Sequence, residues 1–205
     1  MKKRRMFWLG MVLLSMIIAF FSLFPFHLLA PINFAANEVP KVVPALREWH
    51  GNTGSFILGS SSRILLDPAA ASQLQNTARL FQQDLAVVTG WSPAIVTSND
   101  PGEDNFFLTI KTQDTSIGDE GYLLDVGSST TINAHTVNGI FYGTRTILQI
   151  LQADSNHETI PRGLARDFPK YKERGFMLDV GRKFVPLDTL KDYVRLMAWY
   201  KLNDF

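Results

Sequence analysis

Residues 171–205 read YKERGFMLDVGRKFVPLDTLKDYVRLMAWYKLNDF, and two apolar patterns within them decide the fold class. Arg174 to Val180 is a short apolar run with Asp179 near its end, which suits a strand buried on both faces. Pro186 to Leu202 follows, with Leu187, Leu190, Val194 and Met197 at the spacing of a one-faced helix. One strand and one helix form the first unit of a β/α barrel, and a barrel needs eight such units. Residues 171–205 are therefore expected to be the incomplete start of a (β/α)8 barrel.

Working back toward the N-terminus, residues 154–170 are expected to link this unit to a preceding domain. Residues 49–153 alternate strand and helix signals. Trp49 to Leu66 reads as strands broken at Gly51-Asn52, Gly54 and Gly59. Asp67-Pro68 reads as a helix start, Asp67 capping and Pro68 at the first helical position. Leu74, Phe81, Leu85 and Val88 share one face of that helix, which Gly90 ends. Ala94 to Thr97, Phe106 to Ile110, Tyr122 to Val126 and Thr130 to Ala134 read as strands separated by Gly-rich turns. Thr136 to Leu151 is a second helix, whose Gly139 and Gly143 permit close packing while Phe141, Ile147, Leu148 and Leu151 fill a core. This order describes an α+β domain in which two helices cover one sheet.

Residues 31–48, with Pro31, Pro40 and Pro44, read as an extended, mobile tether. Before them, Phe7 to Ala30 carries no charged side chain, long enough to cross a hydrocarbon core of roughly 30 Å. With Lys2, Lys3, Arg4 and Arg5 in front, residues 1–30 are expected to be a signal-anchor or a cleaved signal peptide, engaging the membrane through residues 7–30. Either reading puts Pro31 onward outside the cytoplasm. The net charge of +1 conceals an asymmetry. Without those four residues, 16 basic side chains face 19 acidic ones, a net of −3. Such a body offers no basic field for nucleic acid. There is no cysteine, hence neither a disulfide nor a thiol nucleophile.

Two phrases carry a family resemblance: EGYLLDVGSSTTINAHTVNGIFYGTRTILQIL (120–151) and RGFMLDVGRKF (174–184). The first resembles the accessory domain of glycoside hydrolase family 20, the β-N-acetylhexosaminidases, and the second resembles the opening of their catalytic barrel. The resemblance implies an exported enzyme that removes terminal GlcNAc or GalNAc from glycans or chitooligosaccharides. Its catalysis would be retaining and substrate-assisted, a known departure from the two-carboxylate scheme, with no metal and no organic cofactor. It also implies that Arg174 holds hydroxyls of the terminal sugar, for which a planar guanidinium fork is suited. The catalytic Asp-Glu pair of such enzymes belongs to a later barrel strand, beyond Phe205, so this chain by itself is expected to be inactive. Lys183 stands where many relatives carry histidine, read as subfamily variation. Rival readings are another barrel glycosidase sharing the accessory domain, such as an α-glucuronidase or an O-GlcNAc-removing enzyme, and a non-catalytic membrane-tethered binding or docking module.

Among the other candidates, Asp179 and Arg182 fall at the end of the expected strand and are read as a buried pair fixing the loop. Asp119-Glu120 has the residue types of the catalytic pair but precedes an accessory strand, and is expected to be a solvated turn. His27, His50, His135 and His157 lack metal-ligand spacing. Ser60 to Ser62 read as a turn, and Trp91 as a core residue.

Overall fold

The structure, a computed structural model, describes residues 35–205, which form one compact unit. The expected membrane segment at residues 7–30 lies outside the described residues. Among those described, no helix is long and apolar enough to cross a membrane.

The strands are β1 (Glu48–Ile57), β2 (Ile64–Leu66), β3 (Ile95–Thr97), β4 (Phe106–Thr109), β5 (Tyr122–Val126), β6 (Thr130–Ala134) and β7 (Thr159–Asp167). The helices are α1 (Ala71–Thr89), α2 (Val137–Ala153) and α3 (Leu187–Trp199). All seven strands form one mixed sheet in the order β1-β7-β5-β6-β4-β2-β3. The β1, β7, β5 and β6 neighbours pair antiparallel, while β6, β4, β2 and β3 pair parallel. Parallel neighbours need a crossover, and α1 supplies it between β2 and β3.

Strand periodicity decides which face the helices cover. Leu66, Leu108, Ile132 and Leu124 lie in register across β2, β4, β6 and β5, and all are fully buried. Against that face α1 places Leu74, Ala78, Phe81 and Leu85, and α2 places Ile140, Ile147, Leu148 and Leu151. The Phe106 ring meets Phe56 at 5.3 Å and Phe81 at 5.2 Å. Each such side chain contributes about 1.5–3 kcal/mol when fully buried. Gly139 and Gly143 let α2 approach closely. A Cβ on Gly139 would sit 2.2 Å from the Gly121 carbonyl oxygen, and one on Gly143 would sit 2.5 Å from Ile132. Phe141 is only partly buried, against the edge of the core.

Several expectations need correction. β1 runs unbroken through Gly51 and Gly54, absorbing them as a register shift between Gly51 and Ser55. The Gly51 position is crowded: a Cβ there would meet the Asn37 backbone. Helix α1 starts at Ala71, not at Pro68, and Asp67 does not cap it. The Asp67 carboxylate instead accepts Ala69 N–H, the Thr109 hydroxyl at 2.6 Å and an ion pair from Lys111. Burial of that carboxylate demands those partners. The segment expected to be a linker contains β7, hydrogen-bonded to β1 on one side and β5 on the other. Its Gly163 accommodates the Trp49 ring beneath it. The described part of the expected tether is docked. Asn37 donates to the carbonyls of Gly54 and Arg162, and Val43 exchanges two hydrogen bonds with the Gln149 side chain.

The largest difference concerns residues 174–180. Helix α3 forms as expected, but the strand before it does not. Gly175 makes a single parallel bridge to Asp204, with α3 between the two bridged segments. That connection is the first rung of a βαβ unit. Beyond it, Met177 is 89% exposed and Phe184 84% exposed. A strand buried on both faces needs neighbours on both sides, and among the described residues this run pairs only through the Gly175–Asp204 bridge.

Candidate functional site

The polar side chains with the most constrained geometry gather where the sheet meets residues 171–205. Strand β5 presents Tyr122 inward and β7 ends on Asp167, its register partner. The Tyr122 hydroxyl donates to Asp167 Oδ2 at 2.6 Å and lies 2.6 Å from the Thr146 hydroxyl on α2. Lys201, just past α3, inserts its ammonium here. Its Nζ donates to Asp167 Oδ2 at 2.9 Å and to the Tyr122 hydroxyl at 2.8 Å. Lys201 and Asp167 side chains are only 8% and 9% exposed. Burial pushes the Lys201 pKa down, with the Asp167 charge opposing that shift. Burial pushes the Tyr122 pKa well up, and the Asp167 charge adds to the rise.

A second cluster adjoins the first. Arg174 pairs with Glu120 at 2.8 Å, both largely withdrawn from solvent, and its guanidinium carbon lies 5.5 Å from the Tyr142 ring centre. The Asn203 side chain donates to the other Glu120 oxygen at 3.1 Å. Together with Pro44, Phe168 and Tyr171, the side chains of Glu120, Tyr142 and Arg174 line a cavity of about 300 Å³. Its walls are mainly apolar, with a few convergent polar groups, the composition of small-molecule sites in general.

A third, more exposed cluster flanks the cavity. Arg166 pairs with Asp114 and Glu48, and Arg47 and Arg166 both lie against the Phe168 ring. The Arg166 hydrogen bond, then that of Ser116, holds the Asp114 pKa at about 2. A depressed carboxylate contributes stability that is complete above its unfolded pKa near 4 and is lost as pH falls toward 2. Asp114→Asn should therefore flatten the decline in stability between pH 4 and pH 2. Urea midpoints at pH 7, 4 and 2.5 check this; identical decline in both proteins would remove Asp114 from the acid limb.

The residues singled out from sequence fare differently. Arg174 is placed in the cavity wall, and its acid is Glu120. Asp179 and Arg182 are not brought together: the Asp179 carboxylate accepts Gly181 N–H at 2.8 Å, and both residues are exposed. A buried pair needs cover that this loop does not have. Glu120 is no solvated turn residue. Lys201, Asp167 and Tyr122 were not among the sequence candidates, because a lone Lys at a helix end carries no pattern that reveals burial. His135 and His157 bond the carbonyls of Asp114 and Leu151 respectively. Among the described residues no cluster could hold a metal ion.

Comparison with known proteins identifies the two parts of the chain. The profile of glycosyl hydrolase family 20, domain 2, matches residues 39–168. The chain belongs to glycosyl hydrolase family 20. The profile of the family 20 catalytic domain matches residues 171–205, directly after domain 2. The seven-stranded sheet with its helices is thus the family's accessory domain, and the Arg174 and Lys201 clusters join it to the opening of the catalytic domain. The lacto-N-biosidase of Bifidobacterium bifidum is 30% identical over 85% of this chain and 15% of its own length. The β-hexosaminidase of Vibrio furnissii is 31% identical over 74% of this chain and 23% of its own. A variant of Streptomyces plicatus β-hexosaminidase, solved in complex with the product GlcNAc, matches at TM-score 0.66 and 27% identity. That match covers 85% of this chain and 35% of the solved one. The chain spans less than a quarter of the length of these two curated relatives.

Proposed function

We propose that the chain is the N-terminal part of an exported β-N-acetylhexosaminidase that hydrolyses terminal N-acetylhexosamine residues by substrate-assisted, retaining catalysis. The observation that carries this reading is the sequence of two family 20 matches on one compact body, domain 2 running into the catalytic opening. In this reading the accessory sheet is a platform. Asp167 and Glu120 hold Lys201 and Arg174, so the first unit of the catalytic domain is fixed to the sheet on both sides of its helix. Arg174 grips hydroxyls of the terminal sugar, and the substrate is a glycan or chitooligosaccharide ending in GlcNAc or GalNAc. The protein carrying a complete catalytic domain should release the aryl group from an aryl β-N-acetylglucosaminide with retention at the anomeric carbon. Inversion, or hydrolysis of an aryl β-glucoside in its place, would defeat this reading.

The proposed location follows from the basic residues Lys2 to Arg5 and the uncharged stretch behind them. Protease added to intact cells, with the outer envelope permeabilised where there is one, should cleave the body of the protein. Complete protection in the cytosol would overturn export.

A further inference from the structure

Two buried side chains hold residues 37–47 with one end and the opening of the catalytic domain with the other. The first is Gln149 on α2, which is 8% exposed. Its Oε1 accepts Val43 N–H at 2.7 Å, and its Nε2 donates to the Val43 carbonyl at 2.9 Å and to the Trp199 carbonyl at 2.8 Å. Trp199 is the last residue of α3, where helix carbonyls find no partner within the helix. Both amide protons of Gln149 are therefore in use, one on each side. The second side chain is Asp167. Its Oδ1 accepts Arg47 N–H at 3.2 Å, while its Oδ2 accepts from Lys201, just past Trp199. The segment is also fixed farther out. Asn37 donates its backbone N–H to the Asn52 carbonyl on the edge strand β1 at 2.8 Å, and its own carbonyl accepts the Trp49 indole N–H at 3.1 Å. Val42 is buried in the core. Between these anchors, residues 38–41 make no backbone hydrogen bond among the described residues, and Lys41 is exposed.

We propose that residues 37–47 are a strap that locks the opening of the catalytic domain onto the accessory sheet, with Gln149 as the side chain that couples the two. Glutamine has much rotamer freedom to lose on ordering, and the two bonds to Val43 already fix the carboxamide plane that meets Trp199. Unseating the strap leaves a buried amide oxygen without its donor. Gln149 answers by swinging out or by admitting water, and either response releases the end of α3. The N-terminal arm thus controls how firmly the catalytic domain is seated, and its unbonded stretch at Lys41 is where a protease can reach it.

The test has two arms. In the whole chain, Val42→Asp puts a carboxylate at a buried strap position. It should speed amide exchange at Tyr200 to Asn203 about tenfold, while the amides of β5 and β6 keep their parent rates. Gln149→Met should do the same, and should also speed trypsin cleavage after Lys41 about tenfold, because the coupling runs both ways. The double variant should exchange little faster at Tyr200 to Asn203 than either single one. Asn37→Ala removes two side-chain bonds at the sheet edge and leaves the core intact. It should give the same pattern at smaller size, and it carries the test where Val42→Asp does not fold. Parent rates at Tyr200 to Asn203, equal acceleration in β5 and β6, or additive effects in the double variant would each overturn the proposal. The second arm rests on the hexosaminidase reading. In the enzyme with its complete catalytic domain, Gln149→Met should shorten the half-life of aryl β-N-acetylglucosaminidase activity on heating about tenfold, with kcat/KM at room temperature unchanged. An unchanged half-life would overturn the control over the catalytic domain. A parent enzyme without this activity would instead defeat the functional reading, and the exchange rates alone would then decide the strap.

Discussion

Asp167→Ala is expected to cost about 3–5 kcal/mol of folding stability at pH 7, the range for breaking one partner out of a buried ion pair. Asp167 Oδ2 accepts from both Lys201 and Tyr122, and Oδ1 accepts Arg47 N–H at 3.2 Å. Its removal leaves a buried ammonium with only the Tyr122 hydroxyl. Lys201 can escape by losing its proton, which sets a ceiling. Bringing an ammonium from an ordinary pKa near 10.4 down to pH 7 costs roughly 4–5 kcal/mol. The pH dependence has a definite sign. The folded pKa of Lys201 is already lowered by burial, and without Asp167 it falls further. Between that value and about 10, the unfolded chain holds a proton that the folded chain does not, so stability rises with pH. The variant should therefore regain stability from pH 7 to pH 9.5 more steeply than the parent. Adding Lys201→Met to Asp167→Leu should restore most of the loss, since an apolar pair of similar volume replaces a buried ion pair at little cost. Urea unfolding at several pH values checks all three. A loss below about 1 kcal/mol, flat with pH, would show that the pair is solvated.

The regular parts of the accessory domain were readable because their signals are local. Tyr122 to Val126 and Thr130 to Ala134 appear as strands at those bounds, and Thr136 caps α2 through Asn138 and Gly139 N–H. Gly90 ends α1 in the left-handed region at φ 75°. What sequence did not reveal depends on partners far along the chain. Strand β7 contains Pro161 and Gly163, which argue for a loop, and it becomes a strand because β1 and β5 flank it. Residues 174–180 show the converse. Their apolar run has strand propensity, yet a single bridge forms where pairing is otherwise lacking. Arg174 was visible only through resemblance to a family, and its acid was invisible: Glu120 lies 54 residues away, in a position that reads as a turn. Charged pairs separated by that distance leave no periodicity to read.

Residues 35–205 alone should show no hexosaminidase turnover, and the geometry of the carboxylates is the reason. General acid catalysis needs a carboxyl group within hydrogen-bond reach of the leaving oxygen, and substrate-assisted cleavage also needs a second carboxylate on the acetamido group. The adjacent Asp119-Glu120 has the residue types, but Glu120 is committed to Arg174 and Asn203 through both oxygens. Asp188 and Asp192 stand on the open side of α3, paired with Lys191 and Arg195. Asp179 caps a turn on an exposed loop. Phe176 stacks on Tyr193 and Phe205, a small apolar cluster with Met177 and Phe184 left in solvent, which favours association over catalysis. The measurement is release of the aryl group from an aryl β-N-acetylglucosaminide by residues 35–205, alongside a form extended through a complete catalytic domain. Enzymes typically accelerate their reactions by about 10⁶-fold or more, so the two forms should be separated by several orders of magnitude. Turnover by the short form within about tenfold of the long one would place the acid pair inside the described residues and refute this assignment of roles.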